Sequence, residues 1–123
     1  MYRRTLEGYT LTIDADVPLL VGEYSFWARD CGKFNEGGLT LEAMQTQAER
    51  AEAYKEFVRS ILRHKQFVGC HWFKYMDQAT TGRGDGENFN FGFLDVCDTP
   101  YAEIIGASRL IGEEMYEFRA SGR

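Results

Sequence analysis

The order strand, loop, helix, strand, long loop, helix predicts an α/β fold with a parallel sheet. Three stretches carry that expectation. "PLLVGEYSF" (18–26) and "QFVGCHWFKYM" (66–76) are apolar, β-branched and aromatic, as strands of a buried sheet are. Between them, Leu41, Met44, Ala48, Ala51, Tyr54, Val58, Ile61 and Leu62 recur at steps of three and four, which draws one apolar stripe on a helix over 41–64.

Each element has its own signals. Residues 9–16, "YTLTIDAD", alternate apolar and polar and read either as an extra N-terminal strand or as a helix end plus a turn. Residues 28–39 are rich in charge and glycine and read as a loop. Thr40 is placed to cap the first helix and Glu42 to sit in its first turn, while Glu49, Arg50, Glu52, Lys55, Glu56 and Arg59 form its solvated face. After the second strand a glycine-rich loop runs from Asp77 to Asp98. Asp98 or Thr99 then caps a last helix, with Pro100 at its first position and Tyr101, Ile104, Ile105, Ser108, Ile111, Met115 and Phe118 on its buried side. Both long loops follow strand C-termini, the ends where α/β folds place their chemistry.

Bulk composition narrows the function classes. The 123 residues are 44% hydrophobic and 15% aromatic, which fits a single domain, 1–123, with a packed core. Fourteen basic against nineteen acidic residues give a net charge of −5 with no basic patch, so no nucleic-acid partner is expected. No apolar run reaches membrane-spanning length, and the first ten residues lack a signal-peptide core, so the chain as written is expected in the cytoplasm. Cys31, Cys70 and Cys97 have neither zinc spacing nor an even count, and read as reduced structural thiols.

Candidate chemistry collects at the strand ends. Glu23 follows the apolar run "LLVG"; it is either a carboxylate salt-bridged to Arg29 or Arg83, or a general base or nucleophile on a stiff mount. In "CHWFKYMDQ", His71, Trp72, Tyr75, Asp77 and Gln78 mix flat aromatic surface with hydrogen-bonding groups, a combination that suits a sugar. Phe73 reads as core. In "GRGDGENFNFG", Asp85, Glu87, Asn88 and Asn90 match no calcium-loop spacing and read as a polar rim over a cleft. A Cys70–His71 nucleophile pair is excluded because strand neighbours point to opposite faces. Elbow, phosphate-loop and dinucleotide motifs are absent, so neither a cofactor nor a metal is expected.

These segments, from "PLLVGEYSF" to "FVGCHWFKYMDQ…GRGDGENFNFGFLDVCDTPYAEII", resemble the C-terminal end of a (β/α)8-barrel glycoside hydrolase. The resemblance is to the retaining superfamily called clan A, in particular its β-agarase and β-galactosidase-like members, and covers residues 18 to about 118. It implies the last two βα units of a barrel, with Glu23 as the nucleophile at the end of strand 7. It also implies Trp72 as the tryptophan flooring the subsite of the cleaved sugar, with a cis peptide at Trp72–Phe73. His71, Asp77, Gln78, Glu87 and Asn88 fall in the matching loop as further sugar contacts.

The resemblance also marks what is missing. Retaining hydrolysis needs two carboxyl groups about 5–5.5 Å apart, and the superfamily's acid/base glutamate follows an asparagine at the end of strand 4. The chain's Asn35-Glu36 stands in the loop after the first strand instead. A barrel takes about 250 residues. The expected partners are therefore an oligosaccharide or polysaccharide together with a polypeptide completing the barrel, or further copies of the chain. The expected function is the nucleophile-bearing part of a retaining β-glycosidase acting on galactose-containing polysaccharide. The alternative is a non-catalytic oligomeric remnant with at most saccharide binding.

Overall fold

The computed structural model describes residues 4–10, 15–33 and 43–122. Strand β1 (Leu19–Tyr24) is followed by a 3-10 turn at Arg29–Cys31, helix α1 (Gln47–Arg63), strand β2 (Phe67–Trp72) and helix α2 (Ala102–Ser121). β1 and β2 pair in parallel, with α1 as the crossover between them. The predicted α/β order is thus observed, as a two-stranded parallel sheet with two helices.

The boundaries shift for local physical reasons. α1 begins at Gln47 rather than at residue 41, because Met44 is held by the chain after β1. The Met44 amide donates to the Trp27 carbonyl, and the Arg29 amide to the Met44 carbonyl, each at 3.0 Å. The cap is Thr46, whose hydroxyl accepts the Glu49 amide at 3.2 Å while the Glu49 carboxylate accepts the Gln45 amide at 2.7 Å. The expected cap Thr40, with Leu41 and Glu42, lies outside the described residues, as does Asn35-Glu36. α2 also starts later than its signals indicate. Its N-cap is Tyr101, without a side-chain cap, and Asp95 rather than Asp98 or Thr99 gathers the amides there, from Cys97 and Thr99.

No strand forms at residues 9–10 or 15–16, and residues 11–14 lie outside the described residues. The N-terminal segment instead turns at Leu6–Tyr9 and drops Leu6 into the core, its amide on the Ser60 hydroxyl at 2.9 Å. The α1–α2 pair is fastened by Arg59 to Glu114 at 2.7 Å. The Arg119 guanidinium takes the carbonyls of Leu62, His64 and Lys65, which no helical amide reaches at the C-terminus of α1.

The core lies between the sheet and α1. Tyr24, Phe26, Phe57, Val58, Ile61 and Phe67 are buried there, and Tyr24 stacks on Phe57 with ring centroids 4.4 Å apart. Burial raises the Tyr24 phenol well above its ordinary 10.0, with Cys70 and Tyr54 adding to the rise. Burial likewise raises the Cys70 thiol above 9.0. Groups whose values are raised on folding give stability that is complete below the unfolded values and lost as pH climbs above them. Urea midpoints are therefore expected to fall above about pH 9–10, and to fall less steeply in Tyr24→Phe; an identical alkaline profile in the variant would remove the assignment.

Candidate functional site

The C-terminal end of β1 is shaped by a register irregularity. Val21 pairs with Cys70 and Tyr24 with Trp72, so three steps on β1 match two on β2. One extra residue in one strand is a β-bulge, a device that re-aims side chains. Val21 and Tyr24 both point into the core, and the bulge pair between them, Gly22 and Glu23, is exposed. Opposite the bulge, His71 is exposed between the inward-facing Cys70 and Trp72. Glu23 and His71 therefore share the open face of the sheet. Arg83 and Arg29, the two cations the sequence sets beside Glu23, each make a contact of their own. Arg83 spans Asp85 and Glu87, and the Arg29 guanidinium lies 5.4 Å from the Trp27 ring centroid.

Trp72 lies on the core side of β2. Its indole N–H donates to the Phe91 carbonyl at 2.8 Å, and its ring packs against Tyr24, Tyr54 and Phe93 at 5.1–5.7 Å. The cis peptide stands at Phe73–Lys74, one residue beyond the expected Trp72–Phe73. Phe73 joins Trp27, Phe89 and Phe91 in a second apolar cluster, as its core reading anticipated. The Tyr75 side chain projects outward, 69% exposed.

The loop after β2 is fixed from within. One Asp77 oxygen accepts the Gly92 amide at 2.8 Å; the other accepts the Tyr101 hydroxyl at 2.8 Å and meets the Lys33 ammonium at 3.2 Å. The Asp77 side chain is 0% exposed. Gln78 takes the Phe89 amide at its side-chain oxygen and gives its amide N–H to Glu87, both at 2.7 Å. A side chain at Gly92 would run into the Asp77 amide and the Leu94 carbonyl, so glycine lets the loop close on itself. Asp77, Gln78 and Glu87 therefore turn inward to the loop, whereas Glu23, His71 and Tyr75 face solvent.

Arg50 joins these pieces. The charge pattern of α1 assigns it to the solvated face, yet it is 0% exposed. Its guanidinium donates to the Phe26 carbonyl at 2.9 Å, the Gln47 side chain at 3.0 Å and the Gly92 carbonyl at 2.6 Å. The rings of Trp72 and Tyr101 flank it at 5.6 and 5.2 Å. Burial pulls its value down to about 10, with Asp77 acting the other way. One charge thus ties the segment after Glu23, helix α1 and the loop after β2.

A further group beside the site was only partly legible in the sequence. Among the described residues, Ser25 Oγ, Trp27 Nε1, Asn88 Oδ1 and Asn90 Nδ2 are buried without a hydrogen-bond partner. Ser25 and Trp27 closely follow Glu23 in the chain. Such groups are few in native folds, and only Asn88 and Asn90 carried a sequence signal.

No protein-family model matches the chain. Beta-agarase B of Vibrio sp. (strain JT0107) is 40% identical over 107 residues, 86% of this chain. The solved structure of an exo-beta-agarase superposes with a TM-score of 0.84 at 40% identity over 96% of this chain. That of a second agarase gives 0.86 at 34% identity over 97%. The chain is homologous to the β-agarases. This β-agarase homologue spans only 11% of the curated relative and 16% and 18% of the two solved chains.

Removing the Arg50 charge leaves the Phe26 and Gly92 carbonyls buried without donors, at about 1–3 kcal/mol each. Arg50→Met is expected to lower unfolding stability by about 3–5 kcal/mol. Arg59→Ala, at a half-exposed pair, is expected to cost about 1 kcal/mol or less. Equal losses in urea titrations would contradict the hub role.

Proposed function

We propose that this chain is the nucleophile-bearing portion of a retaining β-glycosidase acting on galactose-containing polysaccharide, laid out as the last two βα units of a (β/α)8 barrel. The observation that carries the reading is Glu23, solvent-facing on a bulge at the C-terminal end of β1, in a chain 40% identical to a beta-agarase. A carboxylate on a strand end, braced by a packed core behind it, has the rigid mount a nucleophile requires.

In this mechanism Glu23 attacks the anomeric carbon and forms a glycosyl ester, while a second carboxyl group protonates the departing oxygen. That second group then takes a proton from the water that hydrolyses the ester. It is supplied from outside the described residues, about 5–5.5 Å from Glu23. His71 and Tyr75 contact the sugar on the open face. Asp77, Gln78 and Glu87 hold the loop that frames it, Asn88 lines that loop, and Trp72 supports the face from the core side.

The test uses the assembly in which the rest of the barrel is present, with an aryl β-galactoside as substrate. Glu23→Gln is expected to lower kcat by at least about a thousandfold, with binding of the chain to its partner intact. Turnover at the wild-type rate in Glu23→Gln would refute the role.

A further inference from the structure

Two short segments near Glu23 hold the four polar atoms that have no partner among the described residues, and their side chains are at most 8% exposed. In the segment after β1, Tyr24, Phe26 and Ala28 enter the main core, while Trp27 joins a separate cluster with Phe89 and Phe91. That alternation turns Ser25 and Trp27 away from the core, to the side that Glu23 faces. The segment 88–91 lies against them. The Trp27 and Phe89 rings are 4.9 Å apart, and the Asn90 side-chain oxygen accepts the Ala28 amide at 3.1 Å. Asn90 is thereby oriented with its own amide N–H groups left over. Trp27 and Asn90 thus offer N–H donors, Asn88 an acceptor, and Ser25 a hydroxyl that serves as either.

We propose that Ser25, Trp27, Asn88 and Asn90 form a subsite for a neutral sugar ring next to the one at Glu23, and that Arg29 covers the Trp27 face until the sugar displaces it. The proposal rests on the reading of this face as saccharide-binding and adds a second ring to it. None of the four groups is charged, and they stand against an aromatic surface. Such a set answers a ring whose C–H face meets the indole and whose hydroxyls take the polar atoms. A buried polar atom left unbonded carries the full cost of its lost hydration, which a ligand hydroxyl removes. Arg29 is part of the cover: itself exposed, it lays its guanidinium over the Trp27 ring, 5.4 Å from the centroid. Exposed side chains change rotamer within nanoseconds, so this cover lifts while the backbone stays in place.

The probe is agarotetraose, a neutral galactose-containing tetrasaccharide, titrated into the isotope-labelled 123-residue chain and followed by NMR. The chain has two tryptophans, and the Trp72 indole N–H is already bonded to the Phe91 carbonyl. The Trp27 indole peak is expected to move and saturate while the Trp72 peak stays in place. Arg29→Ala, at an exposed position, is expected to tighten binding about two- to fivefold, because the cation no longer competes for the ring. Ser25→Ala is expected to weaken binding about threefold or more while its urea midpoint stays level or rises, since the free chain loses only an unbonded hydroxyl. An unmoved Trp27 peak, binding that Arg29→Ala fails to tighten, or wild-type affinity in Ser25→Ala overturns the proposal. Binding is read without turnover. A moving Trp27 peak together with wild-type turnover in Glu23→Gln keeps the subsite and removes the nucleophile; an unmoved peak with Glu23→Gln inactive in the completed assembly does the reverse.

Discussion

A guanidinium with no access to water needs several partners at once, and the fold is arranged to supply them. Arg50 finds two backbone carbonyls, one side-chain oxygen and two aromatic faces, with the Asp77 carboxylate near enough to oppose the lowering of its value by burial. Apart from Asp77, which shares a loop with Gly92, each of those groups lies on a different segment: the chain after β1, the start of α1, the end of β2, the loop beyond it and the cap of α2. Desolvating one charge is costly, and only a fully engaged geometry offsets the cost. Slack in any one segment would leave the charge exposed to that cost, so the hub holds all of them in register. Asp77 extends it through Tyr101 and Lys33.

The consequence reaches the open face. Phe26, whose carbonyl Arg50 holds, stands three residues beyond Glu23. Tyr24, the next residue after Glu23, is wedged against Phe57 and Trp72. The bulge between these anchors turns Glu23 outward on a backbone that cannot easily move. The same alternation that keeps Tyr24 and Trp72 in the core directs Glu23 and His71 to the other side. Rigidity behind and exposure in front are separate requirements, and a bulged strand meets both.

The sequence made the order of elements legible because period-2 and period-3.6 hydrophobicity survive almost any tertiary context. Glu23 was legible as an oddity, a carboxylate ending an apolar run. The bulge was not, since register depends on the facing strand and "LLVGEY" carries no mark of an extra residue. Arg50 was misread because a charge at a helical spacing normally faces water; its burial depends on the Phe26 and Gly92 carbonyls, 24 and 42 residues away in the chain. Asp77 and Gln78 were found as notable polar residues, but only the fold shows that their bonds turn inward. The start of α1 moved because a tertiary pairing of Met44 with the chain after β1 overrode the apolar stripe.

The central claim concerns one carboxylate. With the completing polypeptide present, an activated 2-deoxy-2-fluoro-β-galactoside should stall at the glycosyl-enzyme stage, because fluorine at C2 slows hydrolysis of the ester. Peptide mass mapping is then predicted to find the added sugar on the peptide that contains Glu23. A sugar on any other carboxylate of the assembly, or none while the assembly turns over substrate, would contradict the account.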